Sequence, residues 1–370
     1  MRLLLSSFHF APSIGGVERQ ARMLVGGLVQ RGHAVDVVTA AVPGAPGEEL
    51  LDGARVFRVR ALGGSRYLHM GSYLAAMSAA VLRLGRKADV LQVQQALYPA
   101  AAMAAVSLVL RKPLVVSNRG SGQFGAVRVM QQLPLGGAAL RLIAARATCV
   151  GLSDEMMEEM RSAGMSRRVE IPNGVLLPPL PEAAEREAAR RGLGLLGPVA
   201  LFVGRLDREK NLDLLIDGFA QGGGGATLVV AGDGPERQRM EGLATASGAG
   251  EKIRFLGATT DVRQVLCAGD VFLLPSYSEG ISNALLEAMA HGLPAIATAV
   301  GGNRRVISSP SVGVLVPPGD AAAMGAALRD LLTEPSRAAR VGAAARRHVE
   351  ENYSAAAMVT AYEALYARLA

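Results

Sequence analysis

"LLPSYSEGISNALLEAMAHGLPAIAT", residues 273–298, combines an apolar strand-like run, a short loop, an apolar helix-like run and a second strand-like run. A strand, a helix and a second strand in this order predict two parallel strands joined by a helical crossover. Two carboxylates interrupt the apolar background: Glu279 lies in the loop, and Glu287 follows on the helix. Because burial of a carboxylate is costly without a partner, both are candidates for a binding role.

The same alternation of strand-like and helix-like runs continues along the chain. A first series covers residues 2–174, a Pro- and Gly-rich linker follows at 172–198, and a second series begins at 199–205. The alternation predicts the α/β class, with two Rossmann-like, doubly wound domains that face each other across a cleft at the carboxyl ends of their strands. We place the boundary between the domains after residue 172.

The cysteines and the apolar runs favour a cytosolic protein. The chain has 370 residues, and its two cysteines, Cys149 and Cys267, lie far apart in apolar runs, which favours reduced, buried thiols. The N-terminal run 1–8 is better explained as a first strand than as a signal peptide. The longest apolar run, 98–110, is shorter than the roughly 20 residues of a membrane span. No Cys and His cluster with metal-ligand spacing is visible in the sequence.

The positive charge is concentrated in the first half of the chain. Residues 1–175 carry 20 Lys and Arg against 11 Asp and Glu, a net charge of +9, whereas residues 176–370 carry 19 against 21, a net charge of −2. This asymmetry fits an anionic membrane surface or an anionic acceptor, and it equally fits a solvated basic face with no partner. Nucleic acid is a poorer fit, because aromatic residues make up 4% of the chain and Trp is absent.

"SIGGVERQ" (13–20) places Gly15 and Gly16 between the first predicted strand and the first helix. Glycines allow close backbone approach, and a helix N-terminus favours an anion such as a diphosphate. The spacing is not the G-x-G-x-x-G of dinucleotide-binding proteins, and a plain tight turn remains an alternative.

"VGRLDREKNLDLLIDGF" (203–219) carries Arg205 and Lys210 in a turn between a strand and a helix. Both side chains could reach one diphosphate, the arginine as a fork and the lysine as a point charge. The chain contains only four lysines, which favours a chemical need for one here. An ordinary solvated, charged turn is the alternative.

The turn that contains Glu279 is the most specific feature. Gly280, Ile281 and Ser282 follow it and lead into a helix, so their backbone N–H groups are expected to point outward from the helix N-terminus. Carboxylates suit hydrogen bonds from sugar hydroxyls. For Glu287, the alternative is a favourable interaction with the helix dipole, worth about 0.3–1 kcal/mol.

Taken together, the motifs resemble those of the family-4 glycosyltransferases, which have the GT-B fold. The matching pieces occur in family order over nearly the whole chain: "SIGGVE", "RGHAVDVVT", "IPNGV", "VGRLDREKNLDLLIDGF", "VAGDGPE", "IRFLG", "LLPSYSEGISNALLEAMAHGLPAIAT" and "VGG". Glu279 and Glu287 match the E-x7-E motif of that family.

The resemblance implies a retaining glycosyltransferase that moves a sugar from a UDP- or GDP-linked donor to a glycan or lipid-linked acceptor in cell-surface polysaccharide synthesis, without a metal or other cofactor. It implies an N-terminal acceptor-binding domain, 1–172 plus a returning C-terminal helix at 354–370, and a C-terminal donor-binding domain, 173–353. Taken together with the reduced cysteines and the basic first half, the resemblance leads us to expect a cytoplasmic protein that is peripheral at the inner membrane face.

The resemblance also assigns roles to individual residues. Arg205 and Lys210 would bind the diphosphate, Glu279 the donor sugar and Glu287 the ribose, with Arg205, Lys210 and Glu279 as the catalytic set. The remaining donor contacts would come from the backbone of Gly15, Gly16, Phe255, Leu256, Gly280, Ile281 and Ser282.

One departure from the family pattern lies in the first half. Many relatives carry a His after the fifth strand, where this chain has Arg119, preceded by Asn118 in "VVSNRGSGQFG". Either these residues contact the donor or the acceptor, or the protein is a catalytically weak scaffold that binds nucleotide-sugar or a partner enzyme. A nucleotide-sugar epimerase of the same fold class is a third alternative.

Overall fold

The computed structural model describes most of the chain as two compact units. The described residues are 1–13, 15–94, 97–118 and 125–370. The first unit comprises Met1–Gly174 and Ala355–Ala370, and the second comprises Val175–Ser354. The sequence-based boundaries were 1–172 with 354–370, and 173–353.

The first unit is built on an eight-stranded sheet in the order β3-β4-β2-β1-β5-β6-β7-β8. The β3 strand pairs antiparallel with β4, and every other neighbouring pair is parallel. The strands are β1 Arg2–Ser6, β2 Ala34–Ala40, β3 Glu48–Leu51, β4 Ala54–Val59, β5 Val90–Gln94, β6 Leu114–Ser117, β7 Ala147–Gly151 and β8 Arg168–Glu170.

Helices cover both faces of this sheet. They are α1 Gly16–Gln30, α2 Arg66–Leu84, α3 Tyr98–Leu110, α4 Ala126–Gln132, α5 Gly136–Arg146, α6 Asp154–Ser162 and α15 Ala355–Leu369. Because parallel crossovers are right-handed, α1 lies on one face and the helices that lead from β4 towards β8 lie on the other. Accordingly, α1 contacts α15, whereas α2 contacts α3, and α5 contacts both α3 and α4.

The last helix, α15, returns to the first unit and is fixed there by buried polar contacts. Tyr362 and Tyr366 are almost fully buried. The Tyr362 hydroxyl lies 2.9 Å from Ser117 Oγ, which also accepts a 2.9 Å hydrogen bond from Gln92 Nε2. The Tyr366 hydroxyl donates to Gln92 Oε1. These bonds specify where α15 lies, because a buried polar group without a partner is costly.

The second unit is built on a six-stranded parallel sheet in the order β11-β10-β9-β12-β13-β14. Its strands are β9 Val199–Val203, β10 Thr227–Ala231, β11 Ile253–Gly257, β12 Val271–Leu274, β13 Ala295–Thr298 and β14 Val314–Val316. Its helices are α7 Ala183–Gly192, α8 Leu212–Gly222, α9 Arg237–Ala246, α10 Val262–Ala268, α11 Asn283–Ala290, α12 Asn303–Val306, α13 Ala321–Thr333 and α14 Pro335–Asn352. The predicted α/β class is confirmed.

Two parts of the first unit differ from the sequence-based expectation. The β3 strand was not predicted, although the Asp52-Gly53 pair that joins it to β4 is a strong hairpin signal. Both residues have positive φ, 51° and 80°, as a type I′ turn requires. The helices α4 and α5 were also missed.

Both cysteine thiols lie inside the protein. Cys149 and Cys267 are both free and buried, and burial raises the pKa of the Cys149 thiol to about 12. Among the described residues, no helix is long and apolar enough to cross a membrane.

Candidate functional site

The loops that follow β9 and β12 lie side by side, because these two strands are neighbours in the sheet of the second unit. The Tyr277 N–H donates to the carbonyl of Glu209 at 2.9 Å and joins the two loops directly. The carboxyl edge of a parallel sheet is where ligands bind in α/β proteins, particularly where the strand order reverses. The second unit reverses its order here, since β9 leads to β10 on one side and β12 pairs on the other.

Lys210 and Glu279 form an ion pair between these loops. Lys210 Nζ lies 2.6 Å from Glu279 Oε1, and the side chains are 18% and 8% exposed. Ser276 Oγ donates to the same carboxylate oxygen at 2.6 Å. Burial opposes the charged form of Lys210, but the charge and hydrogen bond of Glu279 outweigh it and raise the pKa of the lysine. Lys210 is therefore charged at neutral pH.

Two further carboxylates surround Lys210. Burial raises the pKa of Glu209, as do the charges of Glu279 and Asp207, while Lys210 opposes that shift. The charge of Asp207 also helps to raise the pKa of Lys210. Several acidic groups thus surround one lysine, and together they stabilise its charged ammonium form at this edge of the sheet.

A chain of buried polar contacts supports the loop that holds Glu279. Asn303 Nδ2 donates to the carbonyl of Thr298 at 3.1 Å, and Thr298 Oγ1 donates to the carbonyl of Ser276 at 2.6 Å. From Ser276 the chain continues to Glu279 and Lys210. These three supporting residues were not predicted from the sequence. Ser276 lies two residues after β12, Thr298 ends β13 and Asn303 begins α12, so they share no local sequence pattern.

The "VGG" motif has a steric reason within this loop. The Gly302 N–H donates to the carbonyl of Glu279 at 3.1 Å. A Cβ on Gly302 would lie 1.5 Å from the carbonyl oxygen of Gly280, so only glycine fits without moving the backbone. Gly280 and Gly302 therefore set the position of the loop together.

Ser282 and Ile281 complete the turn into α11. Ser282 is the N-cap, and its side chain accepts a hydrogen bond from the Leu285 N–H. Ile281 is 4% exposed and Ser282 is 6% exposed. These residues belong to the packed base of the loop, and a ligand contact from them would involve their backbone.

Glu287 lies on α11 beyond its first turn, which contains no acidic residue. The dipole effect falls off within the first turn, so it does not account for this carboxylate. The carbonyl of Glu287 accepts from the N–H of His291 at 3.1 Å and lies 2.7 Å from His291 Nδ1.

Arg205 has different surroundings from Lys210, although both lie in the loop after β9. Its side chain is 73% exposed, and its Nε lies 3.6 Å from Asp207 Oδ2. Phe255 and Leu256 lie at the end of β11, the edge strand, and are both partly exposed. No hydrogen bond or ion pair joins them to Lys210 or Glu279 among the described residues.

The other predicted site residues belong to the first unit. Gly15 is the N-cap of α1, Gly16 is its first residue, and a Cβ on Gly15 would lie 2.1 Å from Glu18 Oε2. Asn118 is fully buried after β6, and its side-chain amide has no hydrogen-bond partner among the described residues. Arg119 lies outside the described residues.

Potential metal-ligating side chains are not clustered in the described part of the chain. It contains no group of three His, Cys, Asp or Glu side chains that could hold a metal ion. Independence from metals stays a prediction.

Comparison with known proteins connects both units to glycosyltransferases. The family model "Glycosyltransferase Family 4" matches residues 14–177, and "Glycosyl transferases group 1" matches residues 185–348. The phosphatidyl-myo-inositol mannosyltransferase of Mycobacterium leprae (strain TN) is 35% identical over 190 residues, which cover 50% of this chain and 49% of that protein. The matching part of this chain spans only 38% to 50% of the length of the first matching relatives.

Solved structures match over the full chain. Sucrose-phosphate synthase from Thermosynechococcus elongatus has a TM-score of 0.82 at 25% identity and covers 100% of this chain and 98% of its own. Anabaena HepE in complex with UDP-glucose has a TM-score of 0.85 at 19% identity, with 100% of both chains covered. The fold is therefore GT-B. With both family models matched in order, the chain belongs to glycosyltransferase family 4.

Proposed function

We propose that the protein is a retaining glycosyltransferase that transfers a sugar from a UDP- or GDP-linked donor to a glycan or lipid-linked acceptor in cell-surface glycan synthesis. The observation that carries this proposal is the buried Lys210–Glu279 pair at the carboxyl edge of the second sheet, 2.6 Å between Nζ and Oε1. Relatives named for mannosyl transfer to phosphatidyl-myo-inositol and for lipopolysaccharide core biosynthesis support the general class of reaction and acceptor.

The proposed chemistry follows from the charges of this edge. Transfer breaks the bond between the anomeric carbon and the diphosphate oxygen and forms a bond from that carbon to an acceptor oxygen, whose proton passes to the departing diphosphate. Negative charge develops on the departing diphosphate, and fixed cations stabilise it without reorganisation. Arg205 and Lys210 would supply that charge, while Glu279 would accept hydrogen bonds from the sugar hydroxyls.

Lys210 has a second task in this proposal. An uncompensated carboxylate beside a diphosphate would repel it, and the ion pair cancels much of the charge of Glu279. Glu287 would bind the ribose, since carboxylates readily accept from paired hydroxyls. Metal independence is part of the proposal, because the cations would take over the role of a divalent ion.

The alternative is a scaffold that binds nucleotide-sugar but transfers it poorly. The observation that favours it is in the sequence: by the resemblance, Arg119 stands where many relatives carry a sugar-contacting His. Within the described residues, neither the nitrogen nor the oxygen of the buried Asn118 amide has a hydrogen-bond partner, which gives this side chain capacity for further polar contacts. Both functions predict that the protein binds the donor, but only the glycosyltransferase predicts efficient turnover.

The experiment that tests the proposal has two stages. A thermal-shift panel of nucleotides and nucleotide-sugars identifies the donor, because a ligand that binds only the folded protein stabilises it by RT ln(1 + [L]/Kd). The hits are then assayed for donor hydrolysis and for transfer to lipid-linked acceptors, with and without a metal chelator. We expect binding, turnover with retained anomeric configuration, and no effect of the chelator. Binding without any turnover supports the scaffold, and no stabilisation by any nucleotide contradicts both functions.

A further inference from the structure

The side chain of Glu279 is oriented by two donors that reach the same oxygen. Lys210 Nζ and Ser276 Oγ each lie 2.6 Å from Glu279 Oε1. Ser276 is fully buried, whereas the Lys210 side chain is 18% exposed. A serine hydroxyl is attached directly to Cβ, while a lysine ammonium ends a flexible four-carbon stem. The position of Ser276 therefore fixes the direction of the carboxyl group more closely than Lys210 does.

The main chain at Ser276 is held by a threonine side chain beyond the end of the strand pairing. The pairing of β12 with β13 ends at Leu274 and Ala297. The next residue, Thr298, pairs with Val316 of β14, and its hydroxyl donates to the carbonyl of Ser276 at 2.6 Å. Thr298 is fully buried, and a β-branched side chain has a restricted χ1 torsion. Its hydroxyl is therefore a fixed donor that sets where Ser276 lies.

The segment that begins with Thr298 also reaches the backbone of Glu279. The Gly302 N–H donates to the carbonyl of Glu279 at 3.1 Å, and Asn303 Nδ2 donates to the carbonyl of Thr298 at 3.1 Å. Asn303 is fully buried as well. One segment thus fixes the backbone of Glu279 directly and its side chain through Ser276. Such preorganisation lowers the cost of ordering a site when a ligand binds.

We propose that Ser276 and Thr298 are positioning residues that orient Glu279 towards the donor sugar and thereby set how strongly the sugar part of the donor is bound. Their role rests on the proposed function, in which Glu279 accepts hydrogen bonds from sugar hydroxyls. The cation beside the diphosphate is Lys210, and loss of the serine hydroxyl leaves the ion pair of Lys210 in place. The two residues should therefore govern recognition of the sugar and leave recognition of the nucleotide unchanged.

The test compares the affinity for a nucleotide-sugar with the affinity for its nucleoside diphosphate. The probes are UDP-glucose, UDP-N-acetylglucosamine and GDP-mannose, each titrated by calorimetry beside UDP or GDP. The dissociation constant of the nucleotide-sugar divided by that of the diphosphate reports on the sugar, because the nucleotide is common to both ligands. A residue that only stabilises the fold would change both constants by the same factor.

Ser276→Ala and Thr298→Val should each raise this ratio about tenfold, because a displaced carboxyl group loses hydrogen bonds to the sugar. The dissociation constant for UDP or GDP should stay within about twofold of the wild type. Thr298→Ser keeps the hydroxyl and should restore the ratio. The matched control for the serine is Ser107→Ala, which removes an equally buried hydroxyl from α3 of the first unit and should leave the ratio unchanged.

A double-mutant cycle tests whether Ser276 acts through Glu279. Glu279→Ala removes the group that Ser276 orients, so Ser276→Ala added to it should change the ratio by less than about twofold. Two independent effects would multiply instead. Melting curves establish that each variant is folded, and Ser276→Ala with its cycle keeps the proposal testable if Thr298→Val does not fold.

Four results would overturn the positioning role. They are an unchanged ratio in Ser276→Ala, equal weakening of diphosphate and nucleotide-sugar binding, a Thr298→Ser variant that behaves like Thr298→Val, and effects of Ser276→Ala and Glu279→Ala that multiply. In each case the proposed function stands, because the wild type still binds both ligands. A wild type that binds none of the nucleotide-sugars would overturn the proposed function, and the positioning role with it.

Discussion

At the scale of single residues, the two cations of the candidate site differ in exposure and in the distance to their ion-pair partner. Lys210 is nearly buried and holds Glu279 at 2.6 Å, whereas Arg205 is 73% exposed and lies 3.6 Å from Asp207. A bound diphosphate brings further negative charge to this edge. We expect Lys210 to keep Glu279 compensated while Arg205, with the weaker partner, moves to meet the phosphate oxygens.

His291 gives the second unit a sensitivity to acid. Its Nε2 is buried without a hydrogen-bond partner among the described residues, and burial lowers the pKa of the ring, as do Arg263 and Arg346, against the hydrogen bond to Glu287. The unfolded chain therefore takes up this proton first, and the free energy of unfolding should fall as the pH drops below about 6.5.

The measurement is urea unfolding at pH 7.5 and 5.5, conditions that bracket the usual histidine pKa of about 6.5. In His291→Gln the decrease between the two conditions should be smaller than in the wild type. Part of it should remain, since burial also lowers the pKa of His348. An unchanged decrease in the variant would contradict the role of His291.

Lys210 and Glu279 could each be predicted as a site residue, but only separately, from the local sequence pattern around each. Their pairing depends on the adjacency of β9 and β12, which are far apart in the chain, and no local pattern contains that information. The same holds for Ser276, Thr298 and Asn303, which support Glu279 from three different segments. Donor or acceptor contacts by Arg119 and Asn118 stay predictions, as do the roles that the resemblance assigns to the other site residues.

At the scale of elements, close helix packing explains one of the two consecutive glycines in α1. A Cβ on Gly27 would lie 2.5 Å from Val359 Cγ2 on α15, whereas a Cβ on Gly26 would have Asp52 Cβ at 4.0 Å as its nearest neighbour. The two positions are adjacent in one helix, and only Gly27 lies in close contact with α15. Substitutions at the two positions can therefore be compared directly.

Gly26→Ala should stabilise the protein by about 0.5–1 kcal/mol, because alanine is the better helix former. Gly27→Ala gains the same propensity but should be destabilising overall, because overpacking typically costs about 1–3 kcal/mol. Chemical denaturation of both variants is the measurement. Equal stabilities would show that α1 and α15 do not approach each other closely.

Most of the regular elements could be predicted from hydrophobic alternation, and the missed elements have physical reasons. The α4 segment has only 7 residues, and the α5 segment is rich in Ala and Gly, so the apolar spacing of both is weak. The β3 strand is an edge strand of four residues with alternating exposure, held by its pairing with β4. Such elements depend on tertiary contacts more than on their own sequence.

At the scale of the whole molecule, the chain leaves the first unit at Gly174 and returns to it at Ala355. The returning helix α15 contributes Met358, Val359, Tyr362, Leu365 and Tyr366 to the core of the first unit. That unit therefore contains its complete core only when the last residues of the chain are in place.

Tyr362→Ala should lower the free energy of unfolding by about 3–5 kcal/mol, as expected for removal of a fully buried aromatic ring. The matched control is Tyr67→Ala, at a side chain that is 87% exposed, with an expected change within about 0.5 kcal/mol. Thermal and urea unfolding of both variants measure the difference. Similar effects of the two substitutions would show that α15 is not part of the folded core of the first unit.

The measurement that tests the central claim most directly is calorimetric titration of UDP and GDP, and of the donor sugar identified from the panel, into the wild type and two pairs of variants. Lys210→Ala and Glu287→Ala should each weaken binding at least about tenfold, because contacts to charged groups are worth about 1.5–3 kcal/mol. The controls are Lys252→Ala, whose exposed side chain donates to the carbonyl of Gly224, and Glu251→Ala. Unchanged nucleotide binding in both Lys210→Ala and Glu287→Ala would contradict a donor site at this edge of the second sheet.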